Sequence, residues 1–226
     1  MPRPPRVVFA GVPHHVTQRG NRRGVVFFCD ADRWAYLALL RDYAGKHGIG
    51  LLAYCLMPNH VHLVLVPETA QGLHLALKPL HMRHAQRINR ARGWSGHLWQ
   101  GRYFSSPLDE NYLWAAIRYV ERNPVRAGLI DRAEDYGWSS AAAHCGVRAD
   151  ALLTSDVTWT QRLSAVSDWS AWLATGDEAQ DVKVLRRRAN KGLPCGSTEF
   201  VAGLERTAGR CLQERPRGRG NGDATP

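Results

Sequence analysis

Two histidines one residue apart, His60-Val61-His62, stand inside the apolar run 51–66. On a β-strand, residues two apart point to the same face, so both imidazoles look the same way. Neutral imidazole is a good ligand for divalent metals, and two on one rigid strand share an ion with little reorganisation. An H-x-H also arises by chance in a buried strand, each ring nitrogen satisfied by backbone. Two imidazoles side by side in an apolar strand are costly without a partner, however, which favours a metal. The second reactive candidate lies in Asn111-Tyr-Leu-Trp-Ala-Ala-Ile-Arg-Tyr-Val-Glu-Arg-Asn123. Leu113, Ile117 and Val120 keep helical spacing and form its core stripe. Tyr119 lies off that stripe, and Asn123 follows it one turn later on the same face. Tyr112, seven residues earlier, roughly shares that face, so spacing alone does not choose between the tyrosines. A tyrosine beside a metal is a nucleophile in waiting. Its hydroxyl, with a reference pKa of about 10, is mostly protonated at neutral pH and needs help to attack.

These residues need a scaffold, and the pattern supplies one. Residues 14–19 read as a strand, followed by the basic turn Arg19-Gly-Asn-Arg-Arg-Gly24. Residues 30–47 read as a helix capped by Asp30 or Asp32, with Trp34, Leu37, Leu40 and Ala44 in period and Gly48 as the stop. Two apolar runs, 49–56 and 60–67, flank Met57-Pro-Asn59, a turn between paired strands. A helix over 70–91 should kink at Pro79, residues 103–108 form a short strand, and Asp109 or Asn111 caps a helix to about Arg122. The order strand, helix, two strands, helix, strand, helix predicts an α+β domain: a ferredoxin-like antiparallel sheet with packed helices. Beyond residue 150 the composition shifts. Residues 160–175 and 199–211 read as short amphipathic helices around the basic run 183–191. The expected division is a domain over 1–148, a helical DNA-binding extension over 149–212 and a disordered basic tail over 213–226.

The 226 residues carry a formal net charge of +10, with a pI of about 9.8. That balance favours a polyanionic partner, nucleic acid ahead of an anionic membrane surface. Five scattered cysteines without a C-x-x-C pair argue against a disulfide framework or zinc knuckle and for a reducing cytosol. The N-terminus lacks an apolar signal-like stretch. The longest greasy run is broken by Pro58, Asn59, His60 and His62 and is too short to cross a bilayer. A cytoplasmic protein without membrane contact is expected.

Five blocks then occur in order: His14-His-Val-Thr-Gln-Arg-Gly-Asn-Arg22, Ala53-Tyr-Cys-Leu-Met-Pro-Asn-His-Val-His-Leu-Val64, Trp99-Gln-Gly-Arg-Tyr103, Arg118-Tyr-Val-Glu-Arg-Asn-Pro-Val-Arg-Ala-Gly-Leu129 and Trp138-Ser-Ser140. Together they resemble the REP-associated tyrosine transposases, a branch of the single-tyrosine HUH transposases (HUH endonuclease fold), over roughly residues 8–145. The resemblance implies that His60 and His62 are the metal ligands and that Tyr119 is the nucleophile. Asn123 would complete the protein shell of an Mg²⁺ or Mn²⁺ ion, where some relatives carry Gln. It implies cleavage and rejoining of single-stranded DNA near hairpins through a 5′-phosphotyrosine link, with a monomer or a homodimer both allowed.

Candidate DNA contacts are Arg19, Arg22 and Arg23 in the first turn. Lys78, Arg83, Arg87 and Arg90 on the second helix, with His81 and His84 interleaved, and Arg102 add to them. Trp99, Tyr103 and Phe104 are candidate stacking platforms for unpaired bases. Arg215-Pro-Arg-Gly-Arg219 faintly resembles a minor-groove arm. A non-catalytic hairpin-binding regulator on the same fold is the principal alternative, although an intact His60, His62 and Tyr119 argue against it. An RNA-binding module is a third, and the aromatic-rich signature it would need is absent.

Overall fold

The computed structural model describes residues 7–214. The basic tail segment 215–219 lies outside the described residues. Strands β1 (His14–Arg19), β2 (Ile49–Met57), β3 (His60–Pro67) and β4 (Phe104–Pro107) form one antiparallel sheet in the order β2-β3-β1-β4. This is the ferredoxin-like arrangement the element order predicts. β2 and β3 close a tight hairpin in which Met57 pairs with His60 across Pro58-Asn59. The bulge between Leu51 and Ala53 shifts the register of β2, so that Leu51 and Tyr54 serve one face and Leu52, Ala53 and Cys55 the other.

Two cores sandwich this sheet. On one face, Val16, Val61, Leu63 and Leu65 pack under helices α1 (Asp30–Lys46) and α2 (Gly72–Arg92). On the other, Val64 and Val66 pack under α3 (Glu110–Glu121), which presents Leu113, Ile117 and Val120. Each such buried aliphatic contributes about 1.5–3 kcal/mol, which holds strand and helix in register. Strict alternation along β3 puts His60 and His62 on the α3 face, whereas Val61 and Leu63 face α1 and α2.

Several local expectations change. Trp34 is 62% exposed, and Tyr36, fully buried, takes its place in the core. Two residues apart on a helix point nearly opposite ways, so only one could face the sheet. Neither Asp30 nor Asp32 caps α1. Its N-cap is Cys29, and Asp32 accepts instead from the Phe28 backbone N–H at 3.0 Å. α2 runs on through Pro79. The carbonyl of Leu75 that Pro79 cannot serve belongs to a residue on the exposed side, where water can reach it. Asp109 does cap α3, accepting from Tyr112 N at 2.9 Å. Gly48 ends α1 at φ +59, a conformation that suits a residue without Cβ.

The largest departure lies beyond residue 148. After α4 (Asn123–Arg126) and α5 (Ala141–His144) come α6 (Val157–Leu163) and α7 (Trp169–Ala174). The second is capped by Asp168, which breaks the single helix expected over 160–175. The basic run 183–191 is no linker, since it belongs largely to α8 (Ala179–Ala189), followed by α9 (Thr198–Ala208). Leu185, Trp169 and Cys195 share one buried cluster with Leu113, Ile117 and Val64. Residues from both sides of position 148 thus share one buried cluster.

Candidate active site

The site forms where β1 and β3 meet α3. Thr17 pairs with His62 and Arg19 with His60. His15, on the same face of β1, brings its Nε2 within 2.9 Å of His62 Nδ1, the two rings stacked with centroids 5.1 Å apart. His60 lies edge-on to His62 at 4.9 Å. Its Nδ1 donates to Asn59 Oδ1 at 2.6 Å. Burial holds these imidazoles neutral. His60 is lowered to about 3 by desolvation, with Arg19 and Arg126 adding to it. His15 is lowered to about 4 by burial and then Arg126. His62 lies well below the usual range, first by burial and then through His60 and His15. A neutral ring is the form that can offer a lone pair to a metal.

Tyr119, 7% exposed, stands over this pair. Its ring centroid is 5.5 Å from His62 and 5.8 Å from His15, both edge-on. Arg126 covers the ring at 4.0 Å and donates to the Tyr119 carbonyl at 2.6 Å. Arg186, from α8, points its Nε at the Tyr119 hydroxyl from 3.4 Å. The fold thus separates the two tyrosines that spacing could not. Tyr112, one heptad back, has Asp181 and Cys195 among its charged or polar neighbours, and burial and Asp181 raise its pKa.

The tyrosine helix is clamped from outside by the chain after α7. Asp177, nearly buried, binds Arg126 at 2.7 Å and Arg122 at 3.3 Å. Arg122 also donates to the Leu173 carbonyl, and Arg118 to that of Gly176 at 3.1 Å. Arg118 lies over the Trp172 ring at 4.3 Å. On the inner side, buried Glu121 accepts from Ser140 and His144 at 2.5 and 2.7 Å. The tyrosine is therefore held by residues from three separate stretches of chain.

His60 and His62 fit a metal. With both Nδ1 atoms engaged by Asn59 and His15, the Nε2 atoms are the ones left for coordination, as in metal-bound histidines whose other ring nitrogen is held by a hydrogen bond. Asn123 is 8% exposed and its Nδ2 has no hydrogen-bond partner; this atom is a donor, and a metal would have to be met by the amide oxygen. Among the described residues no group of three His, Cys, Asp or Glu converges on a metal-sized centre. Two imidazoles on one strand leave a metal open to further ligands, unlike a closed four-ligand structural site.

The candidate DNA contacts separate by location. Arg19 is half-buried beside His60, and Arg22 and Arg23 are exposed in the adjoining loop, both with left-handed backbone (φ 52 and 61). Lys78, Arg83, Arg87 and Arg90 are exposed on α2, across the sheet from the imidazoles, with Arg87 3.7 Å from Asp32. Arg102 is exposed. Trp99 and Tyr103 are corrected: both are buried, and the Trp99 indole donates to the His81 carbonyl at 2.9 Å. A ring packed in the core has no free face for a base; of the three aromatics only Phe104, 36% exposed, keeps one. His81 and His84 also turn inward, His84 reaching the Val26 carbonyl. Sequence reasoning missed His15, Arg126, Asp177 and Arg186. His15 and Arg126 lay inside the quoted blocks and Arg186 inside the basic run 183–191, so each carried at least that signal, whereas Asp177 had none.

A family model described as "Transposase IS200 like" matches residues 8–123, more than half of the chain, and the protein belongs to this family of IS200-like transposases. It is 30% identical over 89 residues to the ISDra2 transposase of Deinococcus radiodurans, covering 37% of this chain and 64% of that one. It is 24% identical over 110 residues to a REP-associated tyrosine transposase of Haemophilus influenzae, covering 44% and 61% respectively. The matches thus span a little under two thirds of these relatives' own lengths. The fold is also that of a REP-associated tyrosine transposase solved bound to a REP hairpin. The TM-score is 0.52 at 17% identity, covering 70% of this chain and 93% of that one. Among the described residues no helix is long and apolar enough to cross a membrane.

Proposed function

We propose that this transposase-family protein is a metal-dependent single-strand DNA endonuclease and strand transferase of the REP-associated type, acting next to hairpins. The observation that carries the proposal is the convergence within one chain of Tyr119, the neutral His60–His62 pair and the guanidinium of Arg186. The Tyr119 oxygen attacks the scissile phosphorus and gives up its proton to water, from which the departing 3′ oxygen takes one in return. A Tyr–O–P bond forms, the P–O3′ bond breaks, and the 3′ oxygen leaves as a hydroxyl once protonated. One phosphodiester replaces another, so a second 3′-OH can attack the phosphotyrosine and rejoin the strand. Arg126 keeps the phenol ring in place. Arg186, touching the reacting oxygen, offers it a charge-assisted hydrogen bond, the stronger kind. His60, His62 and Asn123 would hold Mg²⁺ or Mn²⁺, which when bound polarises the phosphate and stabilises charge on its oxygens.

Hairpin DNA as substrate draws on the REP-associated relative and on the solved REP-associated structure, whose own partner is a REP hairpin. The basic surface of Arg22, Arg23, Lys78, Arg83, Arg90 and Arg102 suits phosphate contacts, which give affinity and salt dependence. The test is incubation of labelled single-stranded hairpins with wild type and Tyr119→Phe in Mg²⁺, Mn²⁺ or EDTA. A covalent protein–5′-DNA adduct, absent from the mutant and in EDTA, is expected. Tight binding with no cleavage of any hairpin would replace the enzyme with a hairpin-binding regulator.

A further inference from the structure

Asn59 occupies the turn between β2 and β3, inside the Met57-Pro-Asn-His-Val-His62 block, and its contact with His60 is one of a pair. Its side chain makes two contacts in opposite senses. Nδ2 donates to the Arg23 backbone carbonyl at 3.0 Å, and Oδ1 accepts from His60 Nδ1 at 2.6 Å. The first contact fixes the second. A carbonyl can only accept, so Arg23 O forces the NH₂ end of the amide towards the loop and the oxygen towards His60. An oxygen facing His60 Nδ1 in turn requires the proton to sit on Nδ1. The Nε2 atom is then left with its lone pair bare, which is the tautomer a metal needs.

The carbonyl that starts this chain belongs to a loop built to hold it. Arg22 and Arg23 both adopt left-handed backbone, uncommon for residues with a Cβ. A Cβ on Gly20 would meet the Gly24 carbonyl oxygen at 2.1 Å, so the loop closes this tightly only with glycine there. The backbone ties the same parts together. Gly20 N donates to Asn59 O at 2.9 Å and Val26 N to Pro58 O at 2.8 Å. The exposed cations of this loop and the imidazole of His60 are thus joined through one amide.

We propose that Asn59 is the positioning residue that couples the basic loop 20–24 to the His60 tautomer, resting on the reading of His60 as a metal ligand. A strand contact that moves Arg22 and Arg23 would then also move the group that orients the ligand. The alternatives Asn59→Ala and Asn59→Asp pull the two contacts apart. Alanine loses both. Aspartate can still accept from His60 Nδ1–H but cannot donate to the Arg23 carbonyl.

The experiment begins with the full chain labelled with ¹⁵N-histidine, free of metal and DNA at pH 7, where long-range ¹H–¹⁵N correlations report the His60 tautomer. Wild type and Asn59→Asp are expected to show the Nδ1–H form, and Asn59→Ala to move towards Nε2–H, the form imidazole favours in water. Titration with Mn²⁺ alone should then show affinity about 10–100-fold weaker for Asn59→Ala, the usual cost of losing a second-shell partner, and undiminished for Asn59→Asp. Hairpin DNA binding in EDTA should weaken about 2–10-fold in both variants, the worth of one lost hydrogen bond. An Nδ1–H tautomer that persists in Asn59→Ala, or an Nε2–H form in wild type, overturns the proposal. So does DNA affinity unchanged in both variants, which removes the loop from the coupling. Failure of wild type to bind Mn²⁺ while the tautomers behave as expected would overturn the metal reading instead, leaving the role of Asn59 intact.

Discussion

The sheet carries a histidine–tyrosine cluster on each face, and the two differ in what surrounds them. Under α1 and α2, Tyr36 donates to or accepts from His81 Nε2 at 3.1 Å, with His84 and Phe27 edge-on or tilted around it. Tyr36 is fully buried, and burial raises its pKa far above the usual phenol range. Under α3, Tyr119 has the same kind of imidazole neighbours, but a guanidinium lies over its ring and another points at its hydroxyl. Residue type therefore does not separate the two tyrosines. The cations do. Tyr36 closes a core, whereas Tyr119 sits among guanidinium groups.

The sharpest way to break this contrast is to remove each hydroxyl in turn. Tyr119→Phe should abolish the covalent adduct at little cost in stability. Tyr36→Phe should leave adduct formation intact and cost about 1 kcal/mol in denaturant unfolding, because the buried Tyr36–His81 hydrogen bond is lost. An adduct that survives Tyr119→Phe would erase the distinction.

Next in size is the clamp that only the α3 face has. Asp177→Ala leaves Arg122 and Arg126 without their shared carboxylate. Breaking one side of a buried ion pair typically costs about 3–5 kcal/mol, and a tyrosine shifted by an ångström can lose about 100-fold in rate. Urea unfolding and single-turnover adduct formation measure the two effects, and a variant as stable and fast as wild type would show the clamp to be idle. Arg186→Gln is a smaller and more selective change. Adduct formation should slow about 10-fold, consistent with losing a charge-assisted hydrogen bond, while gel-shift affinity for the hairpin holds. Faster adduct formation would mean that α8 covers the tyrosine rather than assisting it.

Acid should treat the two clusters alike, which is the smallest expected effect. His14 and His15 are lowered to about 4, His60 to about 3, and His84 is also lowered, all chiefly by burial. Their unfolded value is about 6.5, so between pH 6.5 and 4 the unfolded chain binds protons that the native state refuses. Stability is then full above about pH 6.5 and declines as pH falls through that window. Melting temperatures from pH 7.5 to 4.5 should fall, and His60→Gln and His84→Gln should each flatten the decline. A flat profile in wild type would remove burial as the cause of their neutrality.

The sequence by itself determined what is local and periodic. The alternation in 60–67 placed His60 and His62 on one face, the turn at Pro58-Asn59 set the hairpin, and Asp109 began the tyrosine helix, because strand pleat, turn chemistry and capping each act within a few residues. Only the tertiary structure decided which tyrosine meets the imidazoles, that Trp99 and Tyr103 are core, and that the chain after 148 closes over α3. The His15–His62 contact spans 47 residues and the Arg186–Tyr119 contact 67. No spacing in the sequence encodes such a meeting. It follows from two sheet faces burying their apolar area at once, which carries Leu185 into the core and brings Arg186, beside it on α8, to the hydroxyl of Tyr119.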